Sequence, residues 1–215
     1  MPWPSSDVAF TDAVKAVQAQ RGSRAAFARA EARGGFRTGI TPELADFLAG
    51  VDTAYLATAS AAGQPYAQHR GGPKGFVRVV DETTLGFADF AGNRQYVTTG
   101  NLSENSRAFL FLMDYAARRR VKLWGWARMV EADAALAALL MPPGYPARLE
   151  QAVLFQVEAW DVNCPQHIPQ KLDAADVAAA LHDLQARLDA AEAESARLRS
   201  KLARLPSHLH SGDHP

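Results

Sequence analysis

Cysteine is almost missing from this 215-residue chain, which has Cys164 and no other. An intramolecular disulfide is therefore excluded, and so is a cysteine-rich zinc site. Net charge is missing too, because 23 Lys and Arg match 23 Asp and Glu. That balance argues against a protein drawn to nucleic acid by long-range attraction, while leaving room for a local basic pocket. No apolar run approaches the ~18 residues of a membrane span, and the opening MPWPSSDVAF lacks the basic and apolar regions of a secretion signal. A cytoplasmic protein with no membrane and no nucleic-acid partner is the expectation. Ser-His-Asp, paired-carboxylate and phosphate-loop motifs are also lacking, so no catalytic acid or base is singled out and no metal site is expected.

What is present is apolar residues, 48% of the chain, enough for one main core with appendages. Ser6 to Arg33 is Ala-rich; Ser6 or Asp7 could cap a first helix that breaks near Gly22. In GITPELADFLAG, Thr41 is placed as an N-cap, Pro42 at the first helical position and Gly50 just past the end. From Val51 the period changes to that of strands. VDTAYLATAS and the segment from Pro65 and Tyr66 read as a hairpin, Phe76 to Val80 and Leu85 to Phe90 as a second. AFLFLMDY and VKLWGWARMVEA follow as apolar strands, then a short helix at Ala132 to Leu140 and a last strand at Ala152 to Val162. Six or seven strands joined by turns too short for parallel crossovers predict an antiparallel barrel with flanking helices.

Beyond Lys171 the period changes again. Val177, Leu181, Leu184, Leu188, Ala191, Ser195, Leu198, Leu202 and Leu205 keep a 4-3-4-3 spacing, the a/d pattern of a coiled coil. Arg187 and Glu194 then fall at g, Glu192 and Arg199 at e, and a parallel pair would match them with opposite signs. The alternative is a single amphipathic helix lying on its own domain. The closing PSHLHSGDHP, with its three histidines, is read as a disordered tail. The expected organisation is a helical extension over 1–40, a barrel domain over 41–171, a coiled-coil helix over 172–206 and the tail.

Chemistry-bearing residues concentrate between Pro65 and Arg128. In FADFAGNRQYVTTGN a strand ends near Phe90, Gly92 permits a turn, Asn93 can cap a short helix and Arg94 takes its first position. Free backbone N–H groups, a helix dipole and a guanidinium would then converge on an anion such as phosphate. The alternative is an ordinary strand-to-helix turn with an exposed arginine. In HRGGPKG, Gly71 and Gly72 would let backbone approach a flat ligand while Arg70 and Lys74 add charge; the alternative is a surface loop. If the two segments lie on hairpin partners, both basic groups meet. His69 and His167 are read as structural, and Cys164 as either a reactive thiol or a small buried residue.

The GFVRV strand, the GNR turn and the CPQHI loop together resemble the pyridoxamine 5′-phosphate oxidase-like, FMN-binding split-barrel family, over about Leu44 to Lys171. The resemblance implies a six-stranded antiparallel split β-barrel and a homodimer with FMN at the interface, with NAD(P)H or another small molecule as redox partner. By position it implies that Gly92-Asn93-Arg94 holds the FMN phosphate and that Arg70 to Lys74 offers backbone to the flavin ring and charge to the phosphate. Asp89 and Phe90 match a ring-contacting strand end. Arg120 matches a residue that reaches the flavin, often from the partner subunit, and Asn101 and Ser103 match the rim; the polar loop around Cys164 is itself read as lining a site at a subunit boundary. The oxidase's product-binding arginine segment is replaced here by NCPQHIPQK and the coil, so oxidation of pyridoxamine phosphate itself is not expected. What remains is an FMN-dependent oxidoreductase, or a flavin-, haem- or nucleotide-binding module without turnover, or an interaction protein built on the coil.

Overall fold

A computed structural model describes residues 5–162 and 166–204. Its chain divides between Gln170 and Lys171 into two compact units. In the first, a 3₁₀ turn at Ser5–Val8 precedes α1 (Asp12–Gln20), α2 (Arg24–Ala32) and α3 (Pro42–Gly50). The first α-helix begins later than a cap at Ser6 or Asp7 would place it, because the Thr11 side chain accepts from Val14 N–H and sets the start there. Thr41 caps α3 as expected, accepting from Leu44 N–H, with Pro42 in the first turn.

Seven strands follow: β1 (Thr53–Ala59), β2 (Pro65–Gly71), β3 (Arg78–Val79), β4 (Thr84–Phe90), β5 (Arg107–Asp114), β6 (Arg119–Val130) and β7 (Leu149–Val162). Two helices interrupt them, α4 (Val97–Glu104) and α5 (Ala134–Leu140). All ladders are antiparallel, in the order β2-β1-β5-β6-β7-β4-β3. The expected six-stranded barrel is thus corrected to a seven-stranded sheet whose ladder stays open between its edges, β2 and β3. The strand expected over 76–80 shrinks to two residues. Phe76 N–H donates back to Pro73 C=O at 3.0 Å and Gly75 holds a φ of +76°, so the chain is still turning where that strand was expected to begin.

The open sheet is nevertheless rolled. Only residues 72–77 join β2 to β3, from one edge to the other. Seven Cα steps reach at most ~25 Å, while six inter-strand spacings of a flat sheet need ~29 Å. The connection therefore forces the edges toward each other. Inside the roll, Leu44, Phe47 and Leu48 of α3 join Leu56, Leu85, Phe87, Leu110, Leu112, Leu123, Val153, Phe155 and Trp160 in one core. Trp160 is buried with its indole N–H donating to Gly39 C=O at 2.8 Å, so the largest core residue leaves no polar atom unpaired. Between Trp124 and Gly125 the β6–β7 register slips, and a Cβ on Gly125 would lie 1.9 Å from Gln156 O. Only glycine fits that bulge.

Outside the roll, Phe36 stacks on Trp124 at 5.1 Å, and Phe10 meets both Phe27 and Phe36 edge-on. These rings fasten the N-terminal helices to the outer face of β6. The second unit contains α6 (Ala174–Ala203), capped by Asp173 accepting from Ala175 N–H, and none of its residues is buried. Asn163, Cys164 and Pro165, and the tail from Leu205 onward, lie outside the described residues, as do the readings made of them above. No helix among the described residues is long and apolar enough to cross a membrane.

Candidate functional site

The gap in the ladder is where the chemistry-bearing side chains gather. Tyr66, Gln68 and Arg70 alternate along β2, so all three point to one side of that edge. Opposite them, the ladder between β4 and β7 slips at Asp89 and Phe90, turning the end of β4 away from regular pairing. Asp89 accepts an ion-paired hydrogen bond from Arg70 across the gap, with the two side chains only 16% and 12% exposed. This pair joins the edge strand β2 to β4, the strand next to the other edge.

Between them lies a cleft of about 260 Å³, lined by β2, by the end of β4, by the turn Gly92–Tyr96, by the first residues of α4 and by Glu150. The turn differs from the expected one. Asn93 does not cap a helix; its side chain accepts from Gln95 N–H at 3.2 Å, closing an Asx turn around Arg94. Arg94 and Tyr96 both adopt left-handed backbone, with φ of 61° and 53°, and the helix starts only at Val97. The correction has a local cause: two left-handed residues cannot continue a right-handed helix. Such conformations cost of order 1 kcal/mol or more and gather at functional sites.

Two consequences favour an anion here. The first intrahelical bond of α4 runs from Gly100 N–H to Tyr96 O, so the N–H groups of Val97, Thr98 and Thr99 precede it, and no side chain caps them. All three residues line the cleft. Arg70 Nε is also buried without a hydrogen-bond partner among the described residues, a deficit of ~1–3 kcal/mol that a bound oxygen would relieve. Against these stand two carboxylates. Asp89 holds Arg70, and Glu150 accepts from Tyr96 OH at 2.7 Å while that hydroxyl accepts from Arg94 Nε at 3.0 Å. The Tyr96 hydroxyl, with the Glu150 carboxylate behind it, holds the Arg94 guanidinium above its ordinary range. Arg94, a cation at any physiological pH, is thereby oriented.

The remaining expected residues are dispersed. Gly71 and Gly72 line a separate open depression of about 620 Å³ with His69, Pro73 and Tyr145, not the cleft of Arg94. Their lack of side chains serves packing: a Cβ on Gly71 would meet the His69 ring at 2.8 Å, and one on Gly72 would meet Phe76 Cβ at 2.8 Å. Lys74 is exposed in the bend that follows, and lines neither space. β2 and β4 are not hairpin partners; Arg70 reaches the Asn93 turn only because the sheet rolls. Phe90 lines the cleft and leans on Tyr145 at 5.2 Å. Asn101 points from α4 toward β1, donating to Thr58 Oγ1 at 3.0 Å, and Ser103 is exposed, its hydroxyl donating to Gly100 O. Arg120 sits half-buried near the start of β6 opposite Met113, outside the cleft lining.

Tyr66, Gln68, Tyr96 and Glu150 are among the cleft residues that the sequence did not single out. Gln68 accepts from the Thr98 hydroxyl at 2.7 Å and so ties α4 to the β2 edge. Tyr66 and Gln68 carried a signal, their period-two spacing from Arg70. Tyr96 and Glu150 carried none, since their pairing spans 54 residues. A larger groove of about 800 Å³ runs beside Arg107, Trp124 and Glu158. Its charged groups are paired, Arg107 with Glu158 and Asp7 with Lys15; the smaller cleft is the better candidate because it also holds Arg70 Nε, unpartnered among the described residues, and the uncapped start of α4.

The family model described as pyridoxamine 5′-phosphate oxidase matches residues 40–163. The chain belongs to that family. The matched span holds every strand but the N-terminal helices α1 and α2 and the helix α6 lie outside it. No curated protein matches. Among solved structures the chain is similar to HupZ of Group A Streptococcus, with 19% identity and a TM-score of 0.44 over 62% of this chain and 99% of that one. A putative pyridoxamine 5′-phosphate oxidase of Lactobacillus delbrueckii has 22% identity and a TM-score of 0.43 over 57% and 93%. HutZ of Vibrio cholerae, described as a haem storage protein, has 17% identity and a TM-score of 0.38 over 57% and 94%.

Proposed function

We propose that the protein is an FMN-binding flavoprotein, and that its flavin exchanges hydride with a nicotinamide cofactor and a small-molecule partner. The observation that carries this reading is the cleft in a family member of this kind, where the uncapped start of α4 meets Arg94 and Arg70. A phosphate suits that point: three backbone N–H groups, a fixed cation and an unsatisfied buried donor face it. Bound FMN would supply the redox chemistry; the chain's own groups bind, orient and tune it. Arg94 and the N–H groups of Val97 to Thr99 would hold the phosphate, with Asp89 setting where Arg70 points.

The cleft's 260 Å³ is smaller than the ~300–1,000 Å³ that encloses a typical ligand. That volume fits the phosphate end of the cofactor, with the rest lying outside the cleft. On this reading a homodimer completes the site, with Phe90, Asn101, Arg120 and the Gly71-Gly72 edge as candidates for the rest of the flavin. The alternative is a module of the same fold that stores or senses flavin, haem or another nucleotide without turnover.

Absorption near ~450 nm in the purified protein, or quenching of FMN fluorescence on titration, is the expected result. Arg94→Ala is expected to weaken FMN binding roughly tenfold or more, with the fold intact by circular dichroism. A colourless protein that does not quench FMN overturns the reading, and unchanged affinity in Arg94→Ala overturns the phosphate assignment. Anaerobic mixing with NADPH or NADH then separates the alternatives, because a carrier leaves its flavin oxidised.

A further inference from the structure

The second unit carries an apolar stripe that the flavin reading does not use. α6 is 30 residues long, or ~45 Å. Its Val177, Leu181, Leu184, Leu188, Leu198 and Leu202 are between 38% and 66% exposed. They share one face at alternating spacings of three and four, interrupted only by Ala191 and Ser195. A surface helix presents such a stripe to a partner, and the charges say what kind. Residues 174–203 hold five acidic side chains (Asp176, Asp183, Asp189, Glu192, Glu194) and four basic ones (Arg187, Arg197, Arg199, Lys201). That near balance does not suit an anionic membrane surface, which selects Lys- and Arg-rich polar faces.

We propose that α6 pairs with α6 of a second copy of this chain as a parallel, in-register, two-stranded coiled coil. With Leu181, Leu188, Ser195 and Leu202 at a, and Val177, Leu184, Ala191 and Leu198 at d, each g residue faces the e residue five positions on in the other helix. Arg187 then meets Glu192, and Glu194 meets Arg199, each pair occurring twice by symmetry. All four charged e and g residues between 185 and 199 find opposite sign. The present intrahelical pairs, Arg187–Asp183 at 4.0 Å and Arg197–Glu194 at 2.7 Å, are exposed and weak enough to rearrange.

An antiparallel pair centred on the same stripe sets g against g and e against e. It keeps Arg187 opposite Glu194 but leaves Glu192 facing Gln185 and Arg199 facing Ala178. It does place the small Ala191 and Ser195 against Leu188 and Leu184, so charge and packing favour different orientations. Pairing of all four flanking charges between 185 and 199 decides for the parallel form, since e and g charges set orientation while the two small layers lower its strength. The coil is then a modest helper of an association, not its sole support. This inference does not depend on flavin binding.

Cysteine crosslinking in the full-length chain distinguishes the possibilities. With Cys164→Ala as background, Leu181→Cys faces its own copy in the parallel coil. In the antiparallel coil it faces residue 198, and the two cysteines stand ~25 Å apart along the axis. Asp183→Cys, on the outer face, is the control. Mild oxidation is expected to yield covalent dimer from Leu181→Cys at least tenfold faster than from Asp183→Cys, and introducing Leu184→Glu with Leu188→Glu is expected to abolish the difference. Equal rates overturn the proposal, whether because the helix is unpaired or because another protein covers it. Crosslinking of a Leu181→Cys, Leu198→Cys double variant without crosslinking of Leu181→Cys overturns the parallel orientation.

Discussion

Replacing Arg70 with methionine tests both the fold and the cleft. Arg70 lies on one edge strand and Asp89 on β4 near the other edge, and no ladder joins β2 to β4. Their ion pair is a side-chain bond across the gap in the sheet, with 12% and 16% of the side chains exposed. Methionine keeps most of the stem's volume and removes the cation, leaving the Asp89 carboxylate poorly hydrated and unmatched. Breaking a buried pair from one side costs ~3–5 kcal/mol. Some water reaches this one, so ~2–4 kcal/mol is expected, a fall in Tm of roughly 6–12 °C for a chain of this size. Asp89→Asn should cost less. Its amide oxygen still accepts from the guanidinium, and a neutral acceptor retains about half of a charge-assisted bond, so a fall of roughly 2–4 °C is expected.

The two variants then diverge in the cleft. Arg70, Arg94, Asp89 and Glu150 sum to zero charge, and Asp89→Asn raises the sum to +1 while freeing Arg70 from its competitor. A phosphate at the start of α4 should bind more tightly by up to ~1 kcal/mol, the strength of one solvent-screened charge at ~4 Å, or about fivefold. Arg70→Met should bind it more weakly. Differential scanning fluorimetry with and without FMN, together with fluorescence-quenching titrations, reads both effects. An Arg70→Met protein that melts within 2 °C of the parent would refute the role of the pair as a tie across the gap. Weaker FMN binding in Asp89→Asn would show that Asp89 is itself a ligand and that the phosphate sits elsewhere.

Gly125→Ala puts a methyl group 1.9 Å from Gln156 O inside the β6–β7 ladder; a loss of ~3 kcal/mol or more is expected, seen as a collapse of soluble yield or a large fall in Tm. Gly100→Ala, in α4 with nothing within 4 Å of the added carbon, should instead gain ~0.5–1 kcal/mol by the same thermal melt. Asp81 accepts from Thr83 N–H, with Thr84 and the Thr83 hydroxyl contributing, which holds its carboxyl below the ordinary 3.8. A depressed folded value means stability that is present above the unfolded value and lost as pH falls through the folded one. Asp81→Asn should therefore flatten the dependence of Tm on pH below about 4 and leave it unchanged at neutral pH; an unaltered acid slope would count against the turn's contribution.

The local devices were written in the residues. Thr41 and Pro42 start α3, Val51 marks the change of period, and the hairpin β1–β2 and the strands β4 to β7 follow from runs whose alternation one face of a sheet requires. Asp89, Phe90, Asn93 and Arg94 were picked out as neighbours along the chain, and they are neighbours in the cleft. Each of these rests on interactions within a few residues, which a sequence displays directly.

Long-range placement was not displayed. That Gly71 and Gly72 make room for His69 and Phe76, that Lys74 lines neither space and that Asn101 holds Thr58 depend on contacts between separate elements. The late start of α4 depends on Arg94 and Tyr96 taking left-handed backbone, which Glu150 of β7 helps fix through the Tyr96 hydroxyl. No local propensity predicts that, because the stabilising contact lies 54 residues away. An antiparallel β protein with a heptad-patterned helix and a basic Asn-Arg turn could be read from the residues in order. That the sheet stays open, that Arg70 and Asp89 bridge its gap, and that the cleft so formed gathers residues from β2, β4, α4 and β7 came from the folded chain. Rolling a sheet is a property of all its strands together, and no single stretch of chain encodes it.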